Sequence, residues 1–241
     1  MNLIIDIGNT KAKFVLFDKD EPVAHCVADN KTLDGLSCFA NKYHPQHAIL
    51  STVVPMTKEA NVRLALLPCP ITTLTYQTPI PITNMYQTPQ TLGTDRLAAV
   101  VGAHAIYPDK DVLVIDAGTC ITYDFVDKNG SYMGGNISPG LKMRFAALHH
   151  FTGKLPLIDD KGDTPTIGYS TETAMRSGVV NGIRNEMAGY IHELKAQYLD
   201  LLVLLTGGDA LGLDKNFDNI FPSDEWIVAR GLNCILNYNE K

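Results

Sequence analysis

The chain has 241 residues, 20 basic and 26 acidic side chains, a formal net charge of −6 and 45% apolar residues. An acidic sequence without a Lys/Arg cluster lacks the footprint of a protein that neutralises a run of phosphates, and no apolar run approaches the roughly 20 residues that span a bilayer, so neither nucleic acid nor a membrane is an expected partner. The length fits one large domain or two halves of about 120 residues, each able to bury a core.

In chain order, Leu3-Ile4-Ile5 and Phe14-Val15-Leu16-Phe17 read as strands around the turn Asp6-Ile7-Gly8-Asn9-Thr10, and Val23–Val27 extends the meander. Helical spacing follows over 33–43, a buried strand over 48–54, a helix over 56–67 and a strand over 71–74, giving the order β-β-β-α-β-α-β. Residues 75–92 carry Pro79, Pro81 and Pro89, which exclude a helix or a central strand and predict an ordered loop or linker. An Ala/Val-rich helix over 97–107 ends at Pro108, and a strand begins at Val112. Beyond it the pattern predicts further strands around 125–127 and 132–137, a helix from Pro139, a polar stretch over 152–170, a long helix over 171–198, a buried strand over 201–205 and a final helix over 226–238. Five cysteines without a C-x-x-C pair suggest neither a disulfide framework nor a zinc ribbon, and read as reduced, mostly buried residues. Met-Asn-Leu-Ile-Ile-Asp at the start has no basic n-region, so a cytoplasmic location is expected.

The second half repeats the first. Leu113-Val114-Ile115-Asp116-Ala117-Gly118-Thr119 aligns with Leu3-Ile4-Ile5-Asp6-Ile7-Gly8-Asn9-Thr10 once one turn residue is deleted, and Phe125-Val126-Asp127 then falls on Leu16-Phe17-Asp18. A repeat of about 110 residues is too long for a solenoid unit and fits a duplicated domain. The expected boundaries are 1–111 and 112–241.

A strand that ends in Asp and turns through Gly and Thr presents backbone N–H groups and a hydroxyl beside a carboxylate, which suits a phosphate with its cation. A tight hairpin with a self-capping Asp would leave the same trace for one motif; two copies facing a central cleft would grip a triphosphate from both sides. No G-x-x-x-x-G-K-[ST] is present and no G-x-G-x-x-G follows a strand, which disfavours P-loop and dinucleotide-binding proteins. Thr206-Gly207-Gly208-Asp209-Ala210 follows a buried strand, where two glycines could let a flat adenine or ribose lie on the backbone, or simply turn the chain. At Gly93-Thr94-Asp95-Arg96 two readings stand: Thr94 or Asp95 as the N-cap of a helix with Arg96 a solvated charge, or Asp95 as a base for a hydroxyl with Arg96 orienting a polar substrate.

These residues resemble the type III pantothenate kinases, members of the acetate and sugar kinase, heat-shock ATPase and actin superfamily. Asp6-Ile7-Gly8-Asn9-Thr10, continuing through Lys11 and Ala12 to Lys13, is similar to the family's first phosphate motif. Tyr86, Pro89 and Gly93-Thr94-Asp95-Arg96 resemble its substrate motif, although Thr88 stands where the family more often has Asn. Asp116-Ala117-Gly118-Thr119 with Thr122 and Asp124 resembles the second phosphate motif, Gly134-Gly135-Asn136-Ile137-Ser138-Pro139-Gly140 its G-G-x-I-x-P-G segment, and Ile167-Gly168-Tyr169-Ser170-Thr171 its I-G-x-x-T segment.

The resemblance implies an α/β fold of two duplicated ribonuclease-H-like (actin-like ATPase) domains and phosphorylation of pantothenate by ATP, the first step toward coenzyme A. It implies Asp95 as general base, and Tyr86, Gly93, Thr94, Asp95, Arg96 and Thr171 as pantothenate contacts. ATP falls to residues 6–13 and Thr119, with magnesium near Asp6 and a monovalent cation, potassium or ammonium, on Asp116. It also implies a homodimer. Met175, Val179, Ile183, Met187 and Ile191, spaced i, i+4, fit either a dimer seam or core packing. Alternatives are a kinase of the same superfamily acting on another small hydroxylated substrate, a non-catalytic ATP-binding regulator, and a phosphatase of related fold.

Overall fold

A computed structural model describes residues 1–209, 220–222 and 225–240. The first half begins with β1 (Asn2–Ile7), β2 (Lys11–Asp18) and β3 (Glu21–Asp29), followed by α1 (Leu36–Tyr43), β4 (His47–Thr52), α2 (Lys58–Ala65) and β5 (Ile71–Thr73). These strands form one sheet in the order β3-β2-β1-β4-β5, with β2 antiparallel and β4 parallel to β1. The predicted order β-β-β-α-β-α-β is therefore the observed one. Strand alternation divides the core between the two faces. Leu3, Ile5, Ile7 and Phe14 pack with Leu36, Ala40, Ala60 and Leu64 of α1 and α2. Ile4, Val15, Phe17 and Ile49 pack on the opposite face with two later helices, α3 (Thr94–Ile106) and α6 (Ile227–Asn239).

Between β5 and α3, the proline-rich stretch holds a two-residue strand, β6 (Thr83–Asn84), and a single 3-10 turn, Pro89–Thr91. The second half continues with β7 (Val112–Ala117), β8 (Cys120–Val126), β9 (Ser131–Pro139), α4 (Leu141–His150), α5 (Thr171–Gln197), β10 (Leu202–Thr206) and β11 (Ile220–Pro222). Its sheet runs β11-β10-β7-β8-β9-β6, with β10 and β11 parallel. Read from β9, the order β9-β8-β7-β10-β11 repeats β3-β2-β1-β4-β5, which is the duplication expected from the sequence. The turns carry the one-residue difference: the Gly8 N–H donates to the carbonyl of Lys11, three residues on, whereas the Gly118 N–H donates to that of Cys120, two residues on, both at 2.9 Å. β6 and β11 are absent from the sequence expectation, because each gains its strand character from a partner rather than from its own two or three residues.

Contacts divide the chain into two units that are not continuous in sequence. One holds Met1–Asp109, Asp124–Gly134 and Asp224–Lys241; the other holds Lys110–Tyr123 and Gly135–Ser223. The tip of the β8–β9 hairpin and helix α6 thus group with the first half, whereas the expected boundaries put both in the second. For α6 the reason is its packing on α3 at main-chain distance. A Cβ on Gly231 would run into the carbonyl oxygen of Ala98, and one on Gly102 into that of Ile227. Gly231→Ala is expected to cost about 1–3 kcal/mol by overpacking this crossing, measured as a loss of unfolding free energy in urea.

In the second unit, Met175, Val179, Ile183, Met187 and Ile191 are buried within the single chain, so this stripe is core packing and leaves no seam for a partner. The cysteines are all free, as expected, but depart from expectation in burial: Cys38 is exposed and the other four are half-buried. Among the described residues, no helix is long and apolar enough to cross a membrane.

Candidate active site

In the first unit the Asp6–Thr10 turn and the Gly93–Arg96 segment are joined through the sheet. Asp6 pairs in register with Ser51 of β4. The Ser51 hydroxyl lies 2.9 Å from that of Thr94, and Thr94 also donates to the carbonyl of Thr52 at 3.3 Å. The strand that ends in Asp6 and the helix that starts at Thr94 are therefore held together by one buried serine. Around the turn, Asp6 and Gly8 are half-buried, Asn9, Thr10, Lys11 and Lys13 are exposed, and the Asn30 amide braces the carbonyls of Gly8 and Asn9 at 2.9 and 2.8 Å. Ile7 and Ala12 are fully buried in the core, so only their main chain can meet a ligand.

Helix α3 has Gly93 at its N-cap position with no side-chain cap, which removes the capping role for Thr94 and Asp95. Asp95 lies in the first turn, where its carboxylate faces the positive end of the helix and accepts the Arg96 N–H at 2.8 Å. A side chain at position 93 would come within 2.5 Å of Asp95 Oδ1, so glycine there leaves the carboxylate its room. Burial pushes the Asp95 carboxyl above its ordinary range; the Arg96 N–H opposes this, and the negative charge of Asp124 adds to it. A carboxylate tuned upward is a better proton acceptor than a solvated one. A cavity of about 470 Å³, lined by Thr52–Pro55, Tyr76 and Pro89–Thr94 among others, adjoins this helix start.

Arg96 is not a solvated charge. It is 5% exposed and grips Asp124, itself 1% exposed, through Nη2 at 2.7 Å and Nε at 3.0 Å. Burial alone would lower the guanidinium pKa, but the bond and charge of Asp124 more than offset it, so the cation is permanent. The Tyr132 hydroxyl donates to the same Asp124 oxygen at 2.7 Å. The rings of Tyr132 and Tyr86 stack at 6.1 Å and 6°, and the Arg96 guanidinium carbon lies 5.7 Å from the Tyr86 centroid. Tyr86, Gly93, Thr94, Asp95 and Arg96 are thus brought together. Asp124, matched by sequence to a phosphate motif, instead anchors Arg96. Tyr132 was missed, since nothing marks a strand tyrosine as the partner of a distant aspartate.

In the second unit, Asp116 is half-buried at the end of β7 and Thr119 is exposed at the turn. Two glycines let main chain close over that turn. Gly140, preceding α4, donates to the Thr119 carbonyl at 3.1 Å, and a Cβ on it would strike the carbonyls of Gly118 and Thr119. Gly207, at φ +99°, lies against the Ala117 carbonyl, and the Asp209 N–H donates to that carbonyl at 2.9 Å. The Gly207-Gly208 pair therefore borders the Asp116–Thr119 turn; Ala210 of the Gly-Gly motif lies outside the described residues.

A network absent from the sequence expectation pins the Ser138–Gly140 segment. The Glu186 carboxylate accepts from Tyr123 at 2.7 Å, Ser138 at 2.6 Å and Arg144 at 2.7 Å, and Arg144 also donates to the Pro139 carbonyl. Burial opposes the charge on Glu186, but these donors hold its carboxyl below the ordinary range. Thr171 is exposed at the first position of α5, behind a capping box of Ser170 and Thr173. A second cavity, about 580 Å³ and lined by Leu141, Lys142, Phe145 and Arg176 among others, has none of the expected site residues in its wall.

Comparison with known proteins identifies the family. The family model for type III pantothenate kinase matches residues 2–193. The chain belongs to the type III pantothenate kinase family. Among relatives, a type III pantothenate kinase of Bacteroides fragilis (strain ATCC 25285) is 52% identical over 99% of this chain and 98% of its own length. That of Phocaeicola vulgatus is 51% identical over the whole of both chains. Of solved structures, a Campylobacter jejuni protein described as a Baf family transcriptional activator matches with TM-score 0.63 and 25% identity, covering 99% of this chain and 98% of that one. An activator of 2-hydroxyisocaproyl-CoA dehydratase from Clostridium difficile, with bound ADPNP, matches with TM-score 0.54 and 14% identity over 99% and 96%. At that identity the likeness speaks for the fold alone, and the fold is the ribonuclease-H-like pair of the actin-like ATPases and sugar kinases.

Proposed function

We infer that this pantothenate kinase family member transfers the γ-phosphoryl group of ATP to the hydroxyl of pantothenate, with Asp95 as the base. The observation that carries the assignment is the Asp95 carboxylate, raised by burial at the start of α3 and tied through Thr94 and Ser51 to the strand that ends in Asp6. Phosphoryl transfer asks a protein mainly for positioning and charge stabilisation, plus one acceptor aimed at the attacking hydroxyl. Asp95 supplies the acceptor. It takes the proton late, as the bond to phosphorus forms, because a primary alcohol is a weak acid. Gly93, Thr94, Arg96, Tyr86 and Thr171 are assigned to pantothenate, and Asp6–Lys13 with Thr119 to ATP.

Among the described residues, no group of three or more His, Cys, Asp or Glu is placed to hold a metal alone. That suits magnesium carried by the triphosphate and completed by one carboxylate, Asp6, since this ion ordinarily keeps its waters and binds through substrate phosphates. When bound it neutralises charge on the phosphate oxygens. Asp116, in the duplicated turn, is assigned to a monovalent cation, potassium or ammonium, by the resemblance to the family.

The deciding experiment is pantothenate-dependent ADP release with magnesium, in the presence and absence of potassium. Turnover with pantothenate, and none with sugars or acetate, is the expected result. ATP binding without pantothenate-dependent ADP release would overturn it. Asp116→Asn is expected to raise the potassium concentration for half-maximal rate about tenfold or more, read from potassium titrations, since a carboxylate lost from a metal site is at least as costly as a lost outer-shell partner. A homodimer and a cytoplasmic location belong to the same proposal, and sedimentation of the purified enzyme tests the first.

A further inference from the structure

We propose that Tyr132 is a positioning residue of the pantothenate site, whose hydroxyl, through Asp124, fixes the orientation in which Arg96 and Tyr86 meet the substrate. The inference rests on the assignment of Arg96 and Tyr86 to pantothenate.

Tyr132 is fully buried on β9 and directs its hydroxyl at Asp124 Oδ1, the oxygen that also receives Arg96 Nη2 and Nε. A guanidinium carries its donors in one rigid plane, so whatever grips the Nε–Nη2 edge sets the direction of the remaining edge. The grip is only as fixed as the carboxylate that makes it. The terminal torsion of an aspartate is soft, and a second donor on the same oxygen holds that torsion in place. Burial and the charge of Asp124 both raise the phenol pKa, so Tyr132 stays protonated and remains the donor.

The same side chain supports Tyr86. Its ring lies parallel to that of Tyr86, and its main-chain carbonyl accepts the Met85 N–H at 3.0 Å, next to the ladder pair Asn84–Tyr132. Tyr86 in turn offers its face to Arg96 within cation–π range. Tyr132 therefore touches the supports of both assigned substrate contacts. Its role is to keep the recognition surface in one arrangement before substrate arrives.

Tyr132→Phe is the test, since it keeps the ring, the stacking and the burial and removes one donor. The KM for pantothenate is expected to rise about tenfold, the scale of one hydrogen bond to a charged group, while kcat at saturating pantothenate and the KM for ATP stay near wild type. A calorimetric titration of pantothenate into the variant should show the same loss of affinity. A purely structural role would instead lower the melting temperature and the active fraction with both KM values unchanged, which would overturn the inference. So would a KM that rises equally for both substrates. Failure of the wild-type enzyme to bind or phosphorylate pantothenate would overturn the underlying assignment, and this inference with it. Wild-type turnover with an unaltered Tyr132→Phe pantothenate KM would overturn this inference alone.

Discussion

Asp95→Asn is expected to lower kcat by about 10²–10⁴-fold, the usual contribution of a positioned acid or base, while ATP binding measured by calorimetry is retained. The amide keeps the oxygen that accepts the Arg96 N–H and fits the space left by Gly93, so geometry survives and only proton affinity is lost. The pH profile carries the same information. Because burial raises the Asp95 pKa, the acid limb of kcat/KM should lie above the ordinary carboxylate range, and the variant should lose that limb. Stability should move in the opposite direction. A carboxyl whose folded pKa exceeds its unfolded value near 3.9 binds its proton more tightly in the native state. Its contribution to stability is therefore full below the unfolded value and is lost as pH rises through the folded one. At neutral pH the wild type bears the whole cost of a half-buried charge, and Asp95→Asn removes it. The variant is expected to melt higher than wild type at pH 7 and to lose that advantage in acid. A variant that keeps the wild-type rate would remove Asp95 from the chemistry.

The first half of the fold was legible because its signals are local. Apolar runs bounded by Gly, Asp and Pro mark β1 to β5, and the alternation of Leu3, Ile4 and Ile5 between two faces is a consequence of strand geometry. The duplication was legible because Asp-x-Gly and Thr recur between the same pair of apolar strand runs in both halves. The placement of α6 was not. An apolar stripe such as Leu232, Ile235 and Leu236 states that a helix packs, and only the main-chain approach at Gly102 and Gly231 shows on what. The site divides in the same way. Asp95 stood out by its setting between a glycine and an arginine, whereas Asp124 and Tyr132 lie 28 and 36 residues beyond Arg96 in sequence, and partner choice at that range is a property of tertiary structure. Glu186 was invisible for the same reason: its three donors come from β8, β9 and α4.

Asp124→Ala is expected to be the most destabilising single change considered, costing about 3–5 kcal/mol in urea unfolding, because it leaves the Arg96 cation buried without its counter-charge. The penalty belongs to the orphaned guanidinium more than to any attraction the pair supplies. A buried ion pair replaced on both sides by apolar groups is often neutral for stability, since neither charge must then be desolvated. The double variant Arg96→Met with Asp124→Leu should therefore recover most of the loss. It should remain inactive, because the arrangement that presents Tyr86 and the Arg96 edge is gone. That pattern, fold restored without function, would separate the two roles of the pair. If Asp124→Ala cost less than about 1 kcal/mol, the value of an exposed pair, water would have to reach the Arg96 cation in the folded protein. The two predictions are thus coupled through Asp124: the carboxylate whose loss orphans Arg96 is also one of the charges that raise the Asp95 carboxyl, the group assigned as base.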